Sequence, residues 1–181
     1  MNIRTPLTAL ATLLLAAASV QAAPTINYEN LEIVEGVGLV DADTNAKYIT
    51  LGMSRNKLMA NAPQMHCLTP AYCEVLSSPT TGLVTVHLDE AGKVFYLRFY
   101  QDTAPHKWAS RKGAMDGMTL AQVHAIYKGS TLSSTTDPTK SPADGYVRTK
   151  NGNYLYQTYT LCGDTGCTFS TVSEVGKASK P

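Results

Sequence analysis

The chain contains one short pattern twice, and this repeat constrains its fold more than any other feature. Gly52-Met53-Ser54 and Gly117-Met118-Thr119 each precede a segment with helical character. In each copy a Ser or Thr stands where a helix N-cap belongs, and strand-like runs follow. An internal repeat takes precedence in predicting a fold, because each copy offers an apolar face that its neighbour can bury. A tripeptide can also recur by coincidence, but the matching order of elements after each copy favours a repeat.

A hairpin is predicted after the first copy, following a loop that holds Cys67 and Cys73. Residues 83–89 and 94–100 are rich in β-branched and aromatic side chains, and a four-residue turn containing Gly92 separates them. Side chains alternate across a strand, so one set shares a face that we predict to be part of the core. This set comprises Val84, Val86, Leu88, Phe95, Leu97 and Phe99.

The second copy repeats this order. Leu120, Val123, Ile126 and Tyr127 form an apolar helical stripe after Thr119, and a loop at 130–144 separates it from strand candidates at 146–149, 154–162 and 167–175. The sequence therefore predicts an α+β fold: two tandem helix-plus-antiparallel-hairpin units forming a two-layer sheet-and-helix domain. The predicted divisions are an extended N-terminal lead-in at 23–46, a first repeat unit at 47–113 and a second at 114–181.

The N-terminus predicts export. A lone Arg4 precedes an apolar run from Leu7 to Ala18, and small residues stand near Ala22, which is the order of a cleavable signal peptide over residues 1–22. The apolar run is shorter than the roughly 20 residues that span a bilayer, and no Cys follows the cleavage site to carry a lipid. We therefore expect a periplasmic or secreted protein that is not inserted in a membrane.

Four cysteines fall in two close pairs. Cys67 and Cys73 have five residues between them, and Cys162 and Cys167 have four. In an exported protein this spacing favours two local disulfides, although three connectivities are formally possible. Structural zinc usually has two to four residues between the members of each pair, and Cys67 and Cys73 exceed that range. His66 beside Cys67 is a further potential ligand, so the sequence offers only a weak case for a metal site.

At this point the chain resembles the β-lactamase inhibitor protein fold and the related small outer-membrane assembly lipoproteins. The resemblance lies in the helix start Gly-Met-Ser/Thr-x-x-x-Leu/Val, which here runs from Gly52 to Leu58 and from Gly117 to Val123. It implies a two-layer architecture with an open sheet face, and it implies no particular partner. The N-terminal Cys of the lipoproteins is absent here.

Apart from that weak case for a metal, nothing in the sequence indicates catalysis or a cofactor. The common hydrolase, metalloprotease and nucleotide-binding motifs do not occur. Removing the signal peptide removes one of the 15 basic residues and leaves 14 against 14 acidic ones, so the mature chain lacks the basic excess that nucleic acid selects. We therefore predict that the protein is not an enzyme and that its partner is another protein.

Large polar-tipped side chains indicate where that partner binds. Tyr and Arg are enriched in binding hot spots, and several fall opposite the predicted core face of the hairpin or on the next sheet segment. The predicted partner-binding residues are His87, Tyr96, Arg98, Tyr100, Trp108, Tyr154 and Tyr156. Aromatic residues also favour strands for packing reasons alone. The resulting expectation is an inhibitor or immunity protein acting on an envelope-targeting enzyme or toxin, with a structural role in envelope assembly as the alternative.

Overall fold

The fold is mostly β, which corrects the predicted α+β class. A computed structural model describes residues 27–75, 83–100, 108–149, 153–164 and 166–176; the predicted signal peptide lies outside them. Strands account for 50% of the described residues and helices for 13%. The prediction placed two strands after the first helix and three after the second, whereas each helix is followed by four strands. Sheet, rather than helix, therefore provides most of the architecture.

The described residues form eleven strands, two α-helices and one 3-10 turn. The helices are α1 (Arg55–Asn61) and α2 (Leu120–Ile126), and the 3-10 turn is Tyr28–Asn30. The strands are β1 (Leu31–Val34), β2 (Gly38–Asp41), β3 (Lys47–Thr50), β4 (Met65–Thr69), β5 (Tyr72–Val75), β6 (Val84–Leu88), β7 (Val94–Tyr100), β8 (Thr131–Ser134), β9 (Gly145–Arg148), β10 (Tyr154–Gly163) and β11 (Gly166–Gly176).

Eight of these strands form one antiparallel sheet in the order β4-β5-β6-β7-β11-β10-β9-β8. The four strands that follow α1 make up one half, and the four that follow α2 make up the other. The halves meet where β7 pairs with β11. Equivalent strands of the two halves therefore lie at mirrored positions, with β4 and β8 at the two edges.

Three strands of this sheet lie where the sequence predicted loops. β4 and β5 pair around the first cysteine pair, and β8 lies in the segment rich in Ser, Thr and Pro. Each is only four or five residues long, and few of their residues are strong strand formers. Their pairing with a neighbouring strand, which a local pattern does not encode, makes them strands.

The predicted N-terminal lead-in is largely a second sheet. β1, β2 and β3 form a three-stranded antiparallel sheet that packs on one face of the large sheet. At Gly38 the backbone has φ of +128°, and a Cβ there would lie 2.4 Å from the Ile49 carbonyl oxygen and 3.1 Å from Leu97. Only glycine fits here, between the backbone of β3 in the same sheet and Leu97 of the large sheet.

The inner face of the large sheet is the face covered by the small sheet and the helices. Leu97, Phe99 and Val86 project from it, and Ile33 and Leu58 reach them from the small sheet and from α1 in one continuous core. The helices begin as predicted: Ser54 accepts from the Lys57 N–H, and Thr119 forms a capping box with Gln122. Both helices are short, so packing of their apolar faces, rather than helix propensity, stabilises them.

The predicted local disulfides are confirmed. Cys67–Cys73 and Cys162–Cys167 each join residues that lie directly opposite one another on adjacent antiparallel strands. Cys73 is buried, whereas Cys162 and Cys167 are exposed near the end of the β10–β11 hairpin. Two such bonds indicate that the protein occupies an oxidising, extracytoplasmic compartment.

The buried Tyr156 tests the assignment of the inner face. Its hydroxyl donates to the carbonyl oxygens of Met115 and Met118, at 3.3 and 3.1 Å, and so ties β10 to the segment that leads into α2. Tyr156→Ala should lower the free energy of unfolding by about 3–5 kcal/mol, and Tyr156→Phe by about 1 kcal/mol. Urea denaturation followed by circular dichroism measures both changes.

Tyr146 is the matched control for this experiment, because it lies on the neighbouring strand β9 and is exposed. Tyr146→Ala should change the free energy of unfolding by no more than about 0.5 kcal/mol. Equal losses at Tyr146 and Tyr156 would contradict the assignment of the inner face.

Candidate protein-binding surface

The opposite side of the large sheet, its outer face, carries a cluster of polar-tipped aromatic residues. Tyr72, His87 and Tyr96 lie side by side on β5, β6 and β7, because their positions pair directly across the strands. Arg98 and Tyr100 follow on β7, each two residues further along the same face. All five side chains are half-buried, so each presents part of its surface to solvent while neighbours hold the rest.

Arg98 is the centre of this cluster. Its guanidinium lies 2.8 Å from a carboxylate oxygen of Glu174 on β11 and donates to the hydroxyls of Tyr96 and Tyr100, each at 3.3 Å. The guanidinium carbon also lies 5.9 Å from the centroid of each tyrosine ring. Charge and ring contacts therefore fix one orientation of Arg98 and of both tyrosines, which lowers the entropy lost when a partner binds.

His87 lies among aromatic rings next to this centre. Its ring centroid is 5.1 Å from those of Tyr72 and Tyr96 and 6.3 Å from that of Phe95, all in edge-to-face arrangements. Burial lowers the pKa of His87 below its ordinary value of 6.5, and the positive charge of Arg98 lowers it further, against a smaller opposite effect of Glu174. The imidazole is therefore neutral at pH 7.

Phe95 belongs to the outer cluster and not to the predicted core face. A β-bulge shifts the register after His87, so that Leu88 pairs with Val94. Val94 is consequently buried in the core, while Phe95 is 36% exposed. The carbonyl and N–H of Val94 also bond to Gly52 and Met53, which fixes the bulge against the start of the α1 unit.

Three of the predicted partner-binding residues lie in the core, so the prediction that they share this surface is wrong. Tyr154 and Tyr156 project from the inner face of β10; Tyr154 stacks on Tyr127 with ring centroids 4.9 Å apart. Trp108 is 1% exposed and packs on Phe99. Alternation along a strand shows which residues share a face, but it does not show which face is covered.

Tyr72, Phe95 and Glu174 are members of the surface that the sequence did not indicate. Tyr72 donates from its hydroxyl to a Glu74 carboxylate oxygen at 2.8 Å, and burial together with this carboxylate raises the pKa of Tyr72 to about 12. Its strand was predicted as a loop. Glu174 reaches Arg98 only through the pairing of β7 with β11, across 76 residues of sequence. Neither the strand that carries Tyr72 nor the pairing that brings Glu174 to Arg98 has a signal in the local sequence.

Other kinds of site have less support among the described residues. They contain no group of three or more His, Cys, Asp or Glu side chains placed to hold a metal ion. No helix within them is both long and apolar enough to cross a membrane. A cleft of about 300 Å³ is lined by Glu35, Lys112 and Tyr127, but the Lys112 ammonium is already paired with Glu35 at 3.0 Å and lies over the Tyr127 ring.

Comparisons with protein families, curated proteins and solved structures find no match to this chain.

The environment of His87 predicts how stability depends on pH. Because its folded pKa is lower than its unfolded value, the unfolded chain binds more protons as the pH falls below 6.5. This group should therefore lower the free energy of unfolding as the pH falls through 6.5, and it should have no effect well above that pH. His87→Gln should reduce the stability difference between about pH 5 and about pH 7.5, measured by urea denaturation.

Titration of the imidazole by NMR provides the direct check, with His87→Gln used to assign its resonance. An imidazole pKa above 6.5 would show that the surrounding rings stabilise the cation more than burial and Arg98 oppose it. That result would contradict the stated electrostatics of the surface.

Proposed function

We propose that the mature chain is an exported protein-binding module and that it acts through the outer face of its large sheet. Its role is that of an inhibitor or immunity protein toward an envelope-targeting enzyme or toxin. The observation that carries the proposal is the ordered cluster around Arg98, in which rings of Tyr, Phe and His surround an ion pair. Aromatic residues and Arg are the groups that contribute most to protein-protein affinity.

The internal contacts of this cluster support a protein partner over a highly charged ligand. Glu174 neutralises Arg98, and each tyrosine hydroxyl accepts from one further N–H group of the guanidinium. A cluster that pairs its own charges presents apolar rings with polar tips, which is the composition of interface cores. Nucleic acid or an anionic membrane surface selects unpaired positive charge instead.

The arrangement of the chain around the cluster also favours binding over catalysis. The side chains lie across a nearly continuous sheet, whereas catalytic groups converge in a concave pocket. The two halves of the sheet, each preceded by a helix that starts at Gly-Met-Ser or Gly-Met-Thr, support the resemblance to the β-lactamase inhibitor fold. That resemblance implies an open sheet face, and the Arg98 cluster provides the side chains for it.

The test begins with the mature protein as bait in periplasmic extract and continues with the captured partner. We expect one stoichiometric protein partner. Tyr96→Ala and Arg98→Ala should each weaken its binding by about 2 kcal/mol, or roughly thirtyfold, in titration calorimetry. Truncating a large side chain at the centre of an interface removes its contact area and the contacts that hold its neighbours in a fixed orientation.

Met59→Ala is the matched control, because Met59 is a large exposed side chain on α1, which packs against the inner face. It should leave affinity unchanged. Urea denaturation of all three variants separates loss of binding from loss of folding. Unchanged binding in both outer-face variants would show that the partner uses another surface, and the proposal would then fail.

A further inference from the structure

One row of residues crosses the whole outer face, with one side chain from each strand. Each member pairs directly with the next across the sheet. From β4 to β8 the row reads His66, Glu74, Thr85, Arg98, Glu174, Leu155, Arg148 and Thr131. Its formal charges thus alternate as negative on β5, positive on β7, negative on β11 and positive on β9.

This row is antisymmetric about the junction of the two halves. β5 and β9 occupy equivalent positions, as do β7 and β11. Glu74 therefore corresponds to Arg148, and Arg98 corresponds to Glu174. Each charge in one half has the opposite charge at the equivalent position in the other half, so the row read backwards is the electrostatic complement of itself.

We infer that the outer face associates with the outer face of a second copy of this chain. The two-fold axis lies between the two sheets and runs parallel to the strands at the β7–β11 junction. Rotation about it places β5 against β9 of the second copy and β7 against β11. Glu74 then faces Arg148 of the second copy, and each Arg98–Glu174 pair lies antiparallel to the other.

Strand direction permits this arrangement, and the charges select it. Sheets that pack face to face keep their strands within about 30° of one another, which an axis parallel to the strands satisfies. An axis perpendicular to the strands would instead place Arg98 near Arg98 and Glu74 near Glu74, which like-charge repulsion opposes. Arg148 is exposed and has no ion-pair partner among the described residues, so it remains available to the second copy.

This inference rests on the proposed binding surface and names its partner as a second copy of the chain. The decisive test is a charge exchange at the outer pair of the row, measured by sedimentation velocity over about 1 μM to about 1 mM protein. Glu74→Arg or Arg148→Glu alone should raise the dimer dissociation constant at least about tenfold, because each creates two like-charge contacts. The Glu74→Arg/Arg148→Glu double variant should restore dimerisation.

The geometry makes this rescue specific to contacts between chains. β5 and β9 are five inter-strand steps apart, or about 24 Å, too far for residues 74 and 148 of one chain to form a pair. Glu90→Arg, a reversal in the exposed β6–β7 turn, controls for the change in net charge and should leave the dimer intact. Dimerisation of the wild type should also weaken between about 0.05 M and about 0.5 M NaCl.

A wild-type chain that stays monomeric over the whole concentration range, or a double variant no better than either single variant, would overturn the inference. Urea denaturation of each variant confirms that it is folded. Neither negative result bears on the proposed function, since the effects of Tyr96→Ala and Arg98→Ala on the captured partner decide that separately. If the chain dimerises and no other protein is captured, the inference stands and the proposed function fails.

Discussion

The pairing of β7 with β11 is the contact on which the rest of the molecule depends. It joins residues 96–100 to residues 172–176 and so unites two four-stranded halves in one sheet. On the inner side it places Leu97 against Val175 at the centre of the core, and on the outer side it places Arg98 against Glu174. Gly176 permits the close approach, since a Cβ there would lie 2.5 Å from the Phe95 carbonyl oxygen. The centre of the core and the centre of the candidate surface therefore lie on opposite sides of a single non-local strand pair.

Features with local signals were predictable from the sequence. Ser54 and Thr119 cap their helices as expected, and the β6–β7 hairpin follows its alternating pattern around a turn containing Gly92. Both disulfides close short segments of sequence. Each of these features is determined by residues within about 15 positions of one another, which is the range over which capping, turn and alternation rules operate.

Features that depend on neighbouring strands were not predictable. The mostly β class follows from β4, β5 and β8, which become strands only because a longer sheet gives them partners. The placement of Tyr154 and Tyr156 follows from the packing of α2 and the small sheet on one side, and nothing in the alternation of β10 indicates that side. Of the predicted surface, His87, Tyr96, Arg98 and Tyr100 lie together because they share one hairpin. Trp108 is separated from them because it packs beneath Phe99.

The Arg98–Glu174 pair has different consequences for stability and for recognition. A partly exposed ion pair contributes little net stability, because desolvation offsets much of its attraction. Its larger effect is to hold Tyr96 and Tyr100 in fixed orientations, which favours any partner that matches them. A second copy and a different protein would then compete for the same rings. By mass action, self-association at high concentration would lower the apparent affinity for another partner, because only the monomer that remains can bind it. The surface would thus be covered at high protein concentration and open when the protein is dilute, with no change in fold.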